Sequence, residues 1–155
     1  MLTIEKLECG FEGLAGHLAN AVVPTPDLIH QVIAGACTRL PILKKCAKTS
    51  DIDQLIKVGA WCDVALALIE VELPAWSVRR VIHEDGEWFC SLTRQPNLPV
   101  ALDDSADANH RTLPLAILGA FLVARRKSLT GEDNLATVPQ VRPASGTMIC
   151  CDNFA

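Results

Sequence analysis

Apolar residues recur every three or four positions on both sides of a central stretch, Trp76–Arg94, where two runs of strand-forming residues meet at Asp85 and Gly86. A two-residue type I′ loop needs positive φ at both central positions, which Asp tolerates and Gly favours. The stretch therefore predicts an antiparallel β-hairpin with a fixed register. The predicted pairs are His83–Trp88, Ile82–Phe89, Val81–Cys90, Arg80–Ser91, Arg79–Leu92 and Val78–Thr93. A three-residue bulged loop would shift this register by one.

Both faces of the predicted hairpin mix polar and apolar side chains. Arg80 shares one face with Ile82 and Phe89, and His83 shares the other with Trp88. A hairpin that faced water on one side would alternate more cleanly. We therefore expect partial cover on both faces, supplied by the flanking helices.

Two helices are predicted before residue 45. Residues 2–20 place apolar side chains at helical spacing, although three glycines weaken the pattern. A second helix is expected to begin after Thr25 as the N-cap, with Pro26 at its first position, and to be interrupted at Pro41.

Two longer helices are predicted around the hairpin. The first begins at Ser50 as a capping residue, carries a wide apolar stripe and ends before Pro74. The second begins near Thr112 and ends at a cluster of cationic side chains, Arg125, Arg126 and Lys127, which suit the negative end of a helix.

The segment between the hairpin and the last helix is rich in Pro, Asp and Asn, which is typical of a connection. Within it, however, Leu98, Val100 and Leu102 alternate with other residues. They predict a third strand, which Pro99 would confine to the edge of the sheet.

The order of elements predicts an α+β fold, in which an antiparallel hairpin or three-stranded sheet is sandwiched between helices, with extra N-terminal helices. A chain of 155 residues suits one domain with a real core. We expect this domain at 1–128, with a helical extension at 1–48 and a helix–hairpin–helix core at 50–127. Residues 129–155 lack a sustained period and are expected to form an irregular tail.

Charge and composition exclude several classes of protein. The net charge of −4 gives no global positive field for nucleic acid phosphates, so no nucleic acid partner is expected. The longest apolar run, Leu113–Ala124, is much shorter than the ~20 residues of a membrane-spanning helix, so no membrane association is expected. Seven cysteines without a recognisable signal peptide indicate reduced thiols and a cytoplasmic protein. Cys37, Cys62 and Cys90 are expected to pack as small hydrophobic residues.

One cluster offers candidate metal chemistry: Asp103, Asp104, Asp107 and His110. Carboxylate oxygens with one imidazole suit Mg²⁺, Mn²⁺ or Zn²⁺, and a metal-dependent or small-molecule enzyme is the alternative function that this cluster supports. Asp and Asn also satisfy their own loop backbone and cap helices, and this structural role is the competing interpretation. No cofactor is otherwise expected.

No phosphate-binding glycine loop, nucleophile elbow or metalloprotease helix is present. This absence favours a non-catalytic interaction or accessory domain. Its expected surface on the hairpin consists of Trp76, Arg80, His83 and Trp88, and its partner is another protein or a second copy of the chain that pairs with the sheet edge.

A sequence resemblance gives the same picture. D-V-A-L-A-L at 63–68, Trp76, the Gly-x-Trp at 86–88 and A-D-A-N-H-R-T-L-P-L-A-I-L-G-A-F-L-V-A-R at 106–125 occur in an order that resembles the phage ABA sandwich domain family. The match covers roughly residues 50–127 and leaves the N-terminal region and the tail outside. It implies a helix–sheet–helix fold and a phage or prophage origin, and it implies no active residues.

Overall fold

The structure, a computed structural model, describes residues 4–43 and 47–130. Within these residues the chain forms helices and an antiparallel sheet, which confirms the predicted α+β class with additional N-terminal helices. The elements are α1 (Ile4–Asn20), α2 (Pro26–Ala36), α3 (Arg39–Ile42), α4 (Ala47–Val58), α5 (Trp61–Glu72), β1 (Ser77–Glu84), β2 (Glu87–Thr93), β3 (Ala106–His110) and α6 (Leu113–Leu129). A short 3₁₀ turn, Val100–Leu102, lies between β2 and β3. The predicted tail lies outside the described residues from 131 onward.

The hairpin forms as predicted at its tip. Asp85 and Gly86 have φ values of 52° and 81°, as a type I′ loop requires. The predicted pairs from His83–Trp88 to Arg80–Ser91 are confirmed.

The hairpin register differs from the prediction beyond Arg80. A β-bulge shifts it, so that Val78 pairs with Leu92 and Ser77 pairs with Thr93. The predicted pairs Arg79–Leu92 and Val78–Thr93 are therefore wrong. The bulge inserts one unpaired residue and redirects the Arg79 side chain.

The redirected Arg79 side chain fastens the segment between β2 and β3. Its Nη1 donates to Asp103 Oδ2 at 2.7 Å, and its Nη2 donates to the Leu98 carbonyl at 2.6 Å. These bonds hold residues 98–103 away from a strand conformation, so the third strand predicted at Leu98–Leu102 is wrong. The third strand is β3, which pairs antiparallel with β2.

The single helix predicted from Ser50 to Leu73 is two helices. Gly59, with φ of 73°, ends α4 by donating its N–H to the Ile56 carbonyl, and Ala60 donates to the Leu55 carbonyl. This arrangement is a Schellman motif, which needs a left-handed residue that glycine supplies at little cost. Helix α4 also begins at Ala47, so Ser50 lies inside it and is not its N-cap.

The second predicted helix begins as expected. Thr25 Oγ1 accepts a hydrogen bond from the Leu28 N–H at 3.3 Å, and Pro26 occupies the first helical position. Helix α2 ends at Ala36, however, and Pro41 lies within the separate short helix α3.

Helix α6 is the centre of the fold. It contacts β2 and β3 on one side and α1 and α5 on the other. Because it is apolar around most of its circumference, it can be buried on all sides. At its middle, a Cβ on Gly119 would lie 2.9 Å from the Ala108 Cβ, so the absence of a side chain permits the close approach of α6 to β3. The buried residues of α6 are Leu115, Ala116, Ile117, Leu118, Ala120, Phe121, Leu122, Ala124 and Arg125.

Both faces of the sheet are partly covered, as expected, and Ser91 and Thr93 on the face with Phe89 are buried. The face with Cys90 and Leu92 is buried, on the side where α6 approaches Ala108. On the opposite face near the hairpin tip, Arg80 is exposed, and Ile82 and Phe89 are half-buried. The sheet is therefore more open at the hairpin tip on this face.

Candidate interaction site

The four predicted metal ligands each have a separate protein partner. Asp103, 3% exposed, forms an ion pair with Arg79, and Asp104 forms one with Lys127. Asp107 Oδ2 accepts a hydrogen bond from Ser105 Oγ at 3.1 Å. His110 Nδ1 accepts a hydrogen bond from the Thr112 N–H at 3.0 Å.

Two of the four carboxylate and imidazole groups, Asp103 and Asp104, already have their charge balanced by a cationic side chain. In the part of the chain that the structure describes, no group of three or more His, Cys, Asp or Glu side chains is arranged to hold a metal ion. The geometry therefore favours the structural interpretation of the cluster, in which its members fasten the segment before β3 and the turn after it.

Of the four residues predicted for the interaction surface, Trp76 is buried. It is 6% exposed, its Nε1 donates to Ser128 Oγ at 3.2 Å, and the Arg94 guanidinium lies 5.1 Å from its ring centre. Trp76 therefore anchors the start of β1 to the end of α6, and its assignment to the surface is wrong.

The other three residues do not form one surface. His83 and Trp88 pack together with ring centres 4.6 Å apart, on the face of the sheet that α6 covers farther along. Arg80 lies on the opposite face, with its guanidinium 5.3 Å from the centre of the Phe89 ring. The predicted surface is divided between two faces because side chains alternate along a strand.

The hairpin loop determines which backbone groups of β3 point outward. Residues that flank a two-residue loop, here Glu84 and Glu87, exchange both backbone hydrogen bonds, so the following pairs alternate. Alternate β2 residues beginning at Trp88 therefore direct their N–H and C=O groups toward β3. Because Trp88 pairs with His110 and Phe89 pairs with Asn109, the backbone groups of Asp107 and Asn109 face outward.

This outer edge of β3 pairs with no other strand of residues 4–43 and 47–130, since the sheet order is β1-β2-β3. Natural sheets protect such edges with short strands, bulges, prolines or charged side chains, lysine above all. The edge strand β1 has a bulge at Arg79, whereas β3 contains neither a bulge nor a proline nor a lysine. The outer edge of β3 is protected by the shortness of the strand and by the charge of Asp107, and it lacks the bulge that interrupts the edge of β1.

A cavity of about 240 Å³ adjoins this edge, between α1, α6 and β3. We call it the β3 groove. Its walls are mainly apolar, and its polar lining residues are Glu12, Asn109, His110 and Arg126. The apolar lining residues are Phe11, Ala15, Leu18, Ala19, Ala108, Leu115, Gly119, Leu122 and Val123.

His110 provides a defined hydrogen-bond donor in the β3 groove. Because its Nδ1 accepts from the Thr112 N–H, the neutral imidazole carries its proton on Nε2. The ring therefore offers one N–H to an occupant.

Burial suppresses the thiol chemistry of two cysteines near the core. Desolvation, together with the charge of Glu72, raises the pKa of Cys37 to about 12. Desolvation, together with the charge of Asp107, raises the pKa of Cys90 to about 11. Because the thiolate is the nucleophile, neither side chain is suited to covalent catalysis at neutral pH.

We expect native protein treated with iodoacetamide at pH 8 to be alkylated at the exposed Cys9 and to remain unmodified at Cys37 and Cys90. With their raised pKa values, the two buried thiols are roughly 0.1% ionised or less at this pH, compared with about a quarter for an ordinary thiol. Peptide mapping by mass spectrometry measures each site separately, and labelling in urea is the control. Rapid native labelling of Cys90 would contradict its buried position.

No protein-family model matches the chain, and searches of curated proteins and of solved structures give no significant match. The resemblance to the phage ABA sandwich domain family therefore stays a prediction. Among the described helices, none combines the length and the apolar character needed to cross a membrane.

Sequence reasoning missed both the edge of β3 and the groove. The available signal was the alternation of Ala106, Ala108 and His110 with Asp107 and Asn109. Alanine, aspartate and asparagine are depleted in strands, so these residues resemble a loop until β2 is known to pair with them.

Proposed function

We propose that this chain is a non-catalytic interaction domain that binds a polypeptide along the outer edge of β3. The observation that carries the proposal is the combination of outward backbone groups at Asp107 and Asn109 with an adjoining apolar groove. An added strand would hydrogen-bond to the backbone groups, and its side chains on one face would enter the groove. An accessory role in a phage or prophage is part of the proposal and rests on the sequence resemblance alone.

The enzyme alternative has less support. Asp103 and Asp104 are engaged in ion pairs, and the His110 Nδ1 is engaged by the Thr112 backbone. These contacts serve the local fold, whereas the outer edge of β3 has backbone groups that no strand of the described residues pairs with. An interaction role therefore uses the outer edge of β3 and the adjoining groove, which have no part in these local contacts.

The proposal is tested by photo-crosslinking in the cells that make the protein. A benzophenone side chain at Asn109, on the outer edge of β3, is expected to give a discrete cross-linked product. The same side chain at the exposed Lys57, on α4, is the control and is expected to give none. The mass of the product distinguishes a second copy of the chain from another polypeptide.

The same cross-linked product from Asn109 and from Lys57, or no product from Asn109, would contradict the proposed interaction site. A product from Asn109 alone would support it whatever the identity of the partner.

A further inference from the structure

We infer that the β3 groove binds an extended segment of a different polypeptide, with a large apolar residue placed opposite Ala108. This inference rests on the proposed function and adds the chemistry of the partner. It follows from the register of β3, the volume of the groove and the residues that a second copy of the chain would present.

The register fixes which side chain of an added strand enters the groove. An antiparallel strand would form hydrogen-bonded pairs with Asp107 and Asn109, and the residue between them would face Ala108. Directly opposite residues project to the same face of a sheet. Ala108 lies on the face toward α6, with its Cβ close to Gly119, so the facing residue points into the β3 groove.

The volume of the groove selects the size of that residue. A space of about 240 Å³ is many times the roughly 30 Å³ of a water molecule, which is similar in size to a methyl group. A small side chain would leave apolar walls such as Phe11 and Leu122 without contacts, and unfilled apolar space forfeits dispersion energy. By this measure the four side-chain carbons of a leucine would fill about half of it, and a phenylalanine or tryptophan would fill most of it.

Pairing between the β3 strands of two copies of the chain does not meet this requirement. Pairing of β3 with itself about Ala108 would present only the methyl group of the second copy's alanine to the groove. A register centred on Asp107 would place two like charges opposite each other, which is destabilising. A register centred on Asn109 would insert the polar imidazole of His110 between apolar walls.

The residues on either side of the apolar one are expected to be polar. They would lie opposite Asp107 and Asn109, on the face away from α6, where both of these side chains are exposed. The carboxylate of Asp107 favours a basic or hydroxyl side chain across from it. The partner segment is therefore polar, large apolar, polar, with a lysine, arginine, serine or threonine among the polar residues.

The test uses short peptides of alternating threonine and lysine that carry fluorescein at the N-terminus and have leucine, tryptophan or alanine as the central residue. Binding to the full chain is measured by fluorescence anisotropy, and the site is located by amide NMR shifts. We expect the leucine peptide to bind about fiftyfold more tightly than the alanine peptide, because it buries three more carbon atoms. The amide signals of Asp107 and Asn109 are expected to shift on binding.

Two variants test the edge and the groove separately. Asn109→Pro removes an N–H that faces outward and leaves the hydrogen bonds between β2 and β3 intact, so the fold is retained while pairing is blocked. Ala15→Trp fills the groove from the exposed surface of α1. Each variant is expected to lower the affinity for the leucine peptide about tenfold or more and to leave the circular dichroism spectrum of the protein unchanged. Ala34→Trp, on the exposed side of α2, is the matched control and is expected to bind normally.

Equal binding of the leucine and alanine peptides would overturn the inference, as would binding that neither variant weakens, or no binding by any of the peptides. If these results accompanied a cross-linked partner at Asn109, the proposed function would stand and only the chemistry of the partner would be wrong. If the peptides bound as expected but the cross-links from Asn109 joined mainly two copies of this chain, the inferred class of partner would also be wrong.

Discussion

Replacing Arg125 with methionine is expected to lower the free energy of unfolding by about 3 to 5 kcal/mol. Arg125 is buried, and its Nε donates to the Ala36 carbonyl at 2.9 Å while its Nη2 donates to Thr38 Oγ1 at 2.7 Å. Methionine keeps most of the aliphatic volume and removes both bonds and the charge. Urea unfolding followed by circular dichroism measures the change.

The loss extends beyond the two hydrogen bonds because a buried carboxylate lies at the same joint. Glu72 Oε1 accepts from the Leu40 N–H at 2.6 Å, and its Oε2 accepts from the Thr38 N–H at 3.2 Å. Without Arg125, this negative charge would stay buried at the joint between α2 and α3 without its nearby cation. Removing one member of a buried charged group costs more than replacing both.

The adjacent residue supplies a matched control. Arg126→Met, on the exposed side of α6, is expected to change the free energy of unfolding by at most about 0.5 kcal/mol. The double variant Arg125→Met with Glu72→Met is expected to be less destabilised than the sum of the two single variants. Equal effects of Arg125→Met and Arg126→Met would show that the buried network contributes nothing particular to stability.

Arg125 also shows what the sequence left undetermined. Arg125, Arg126 and Lys127 form one cationic cluster in the sequence, and the helix dipole explains all three equally well. In the fold, Arg125 turns inward to Ala36 and Thr38, while Arg126 is exposed. The difference depends on α2 and α3 being packed nearby, some ninety positions earlier in the chain, and no local pattern records it.

Local chemistry was sufficient wherever a short segment determines its own conformation. Asp85 and Gly86 predicted the hairpin loop because few residues accept positive φ. Thr25 and Pro26 predicted the start of α2 for a similarly local reason, since the cap bond forms within the first turn. Both predictions are confirmed.

Long-range interactions decided the rest. The bulge at Arg79 depends on Asp103 and the Leu98 carbonyl, which lie about twenty residues away. Residues 106–110 become a strand because β2 offers an unpaired edge, although alanine and aspartate have low strand propensity. The candidate site lies at this strand, so it was as difficult to predict as the strand itself.

The break between α4 and α5 at Gly59 is a different case. The glycine was a local signal for a helix end, but the apolar pattern around it outweighed that signal. A continuous apolar stripe from Ile52 to Val71 favoured one long helix. The glycine costs about 1 kcal/mol inside a helix and little at a left-handed terminus, so its position marked the end of α4. Both helices nevertheless bury apolar side chains, which is why the stripe continues across the break.

Phe121→Ala is expected to lower the free energy of unfolding by about 3 to 5 kcal/mol, the other large effect in this fold. Phe121 is 0% exposed and lies near the middle of α6, the helix that contacts the sheet on one side and α1 and α5 on the other. Truncation removes the largest fully buried side chain of the described residues and leaves a cavity that a helix fixed on both sides cannot close by moving. The midpoint of thermal unfolding should fall by roughly 6 to 20 °C.

Two further variants distinguish the cost of the cavity from the cost of losing any one apolar side chain, both measured as a change in the free energy of unfolding. Phe121→Leu retains much of the volume and is expected to cost less than about 2 kcal/mol. Leu129→Ala removes a half-exposed side chain at the end of the same helix and is expected to cost at most about 0.5 kcal/mol. If Phe121→Ala cost no more than Leu129→Ala, α6 would not be the helix around which the sheet and the other helices are packed. The position of the β3 groove, whose base α6 forms, would then need to be reconsidered as well.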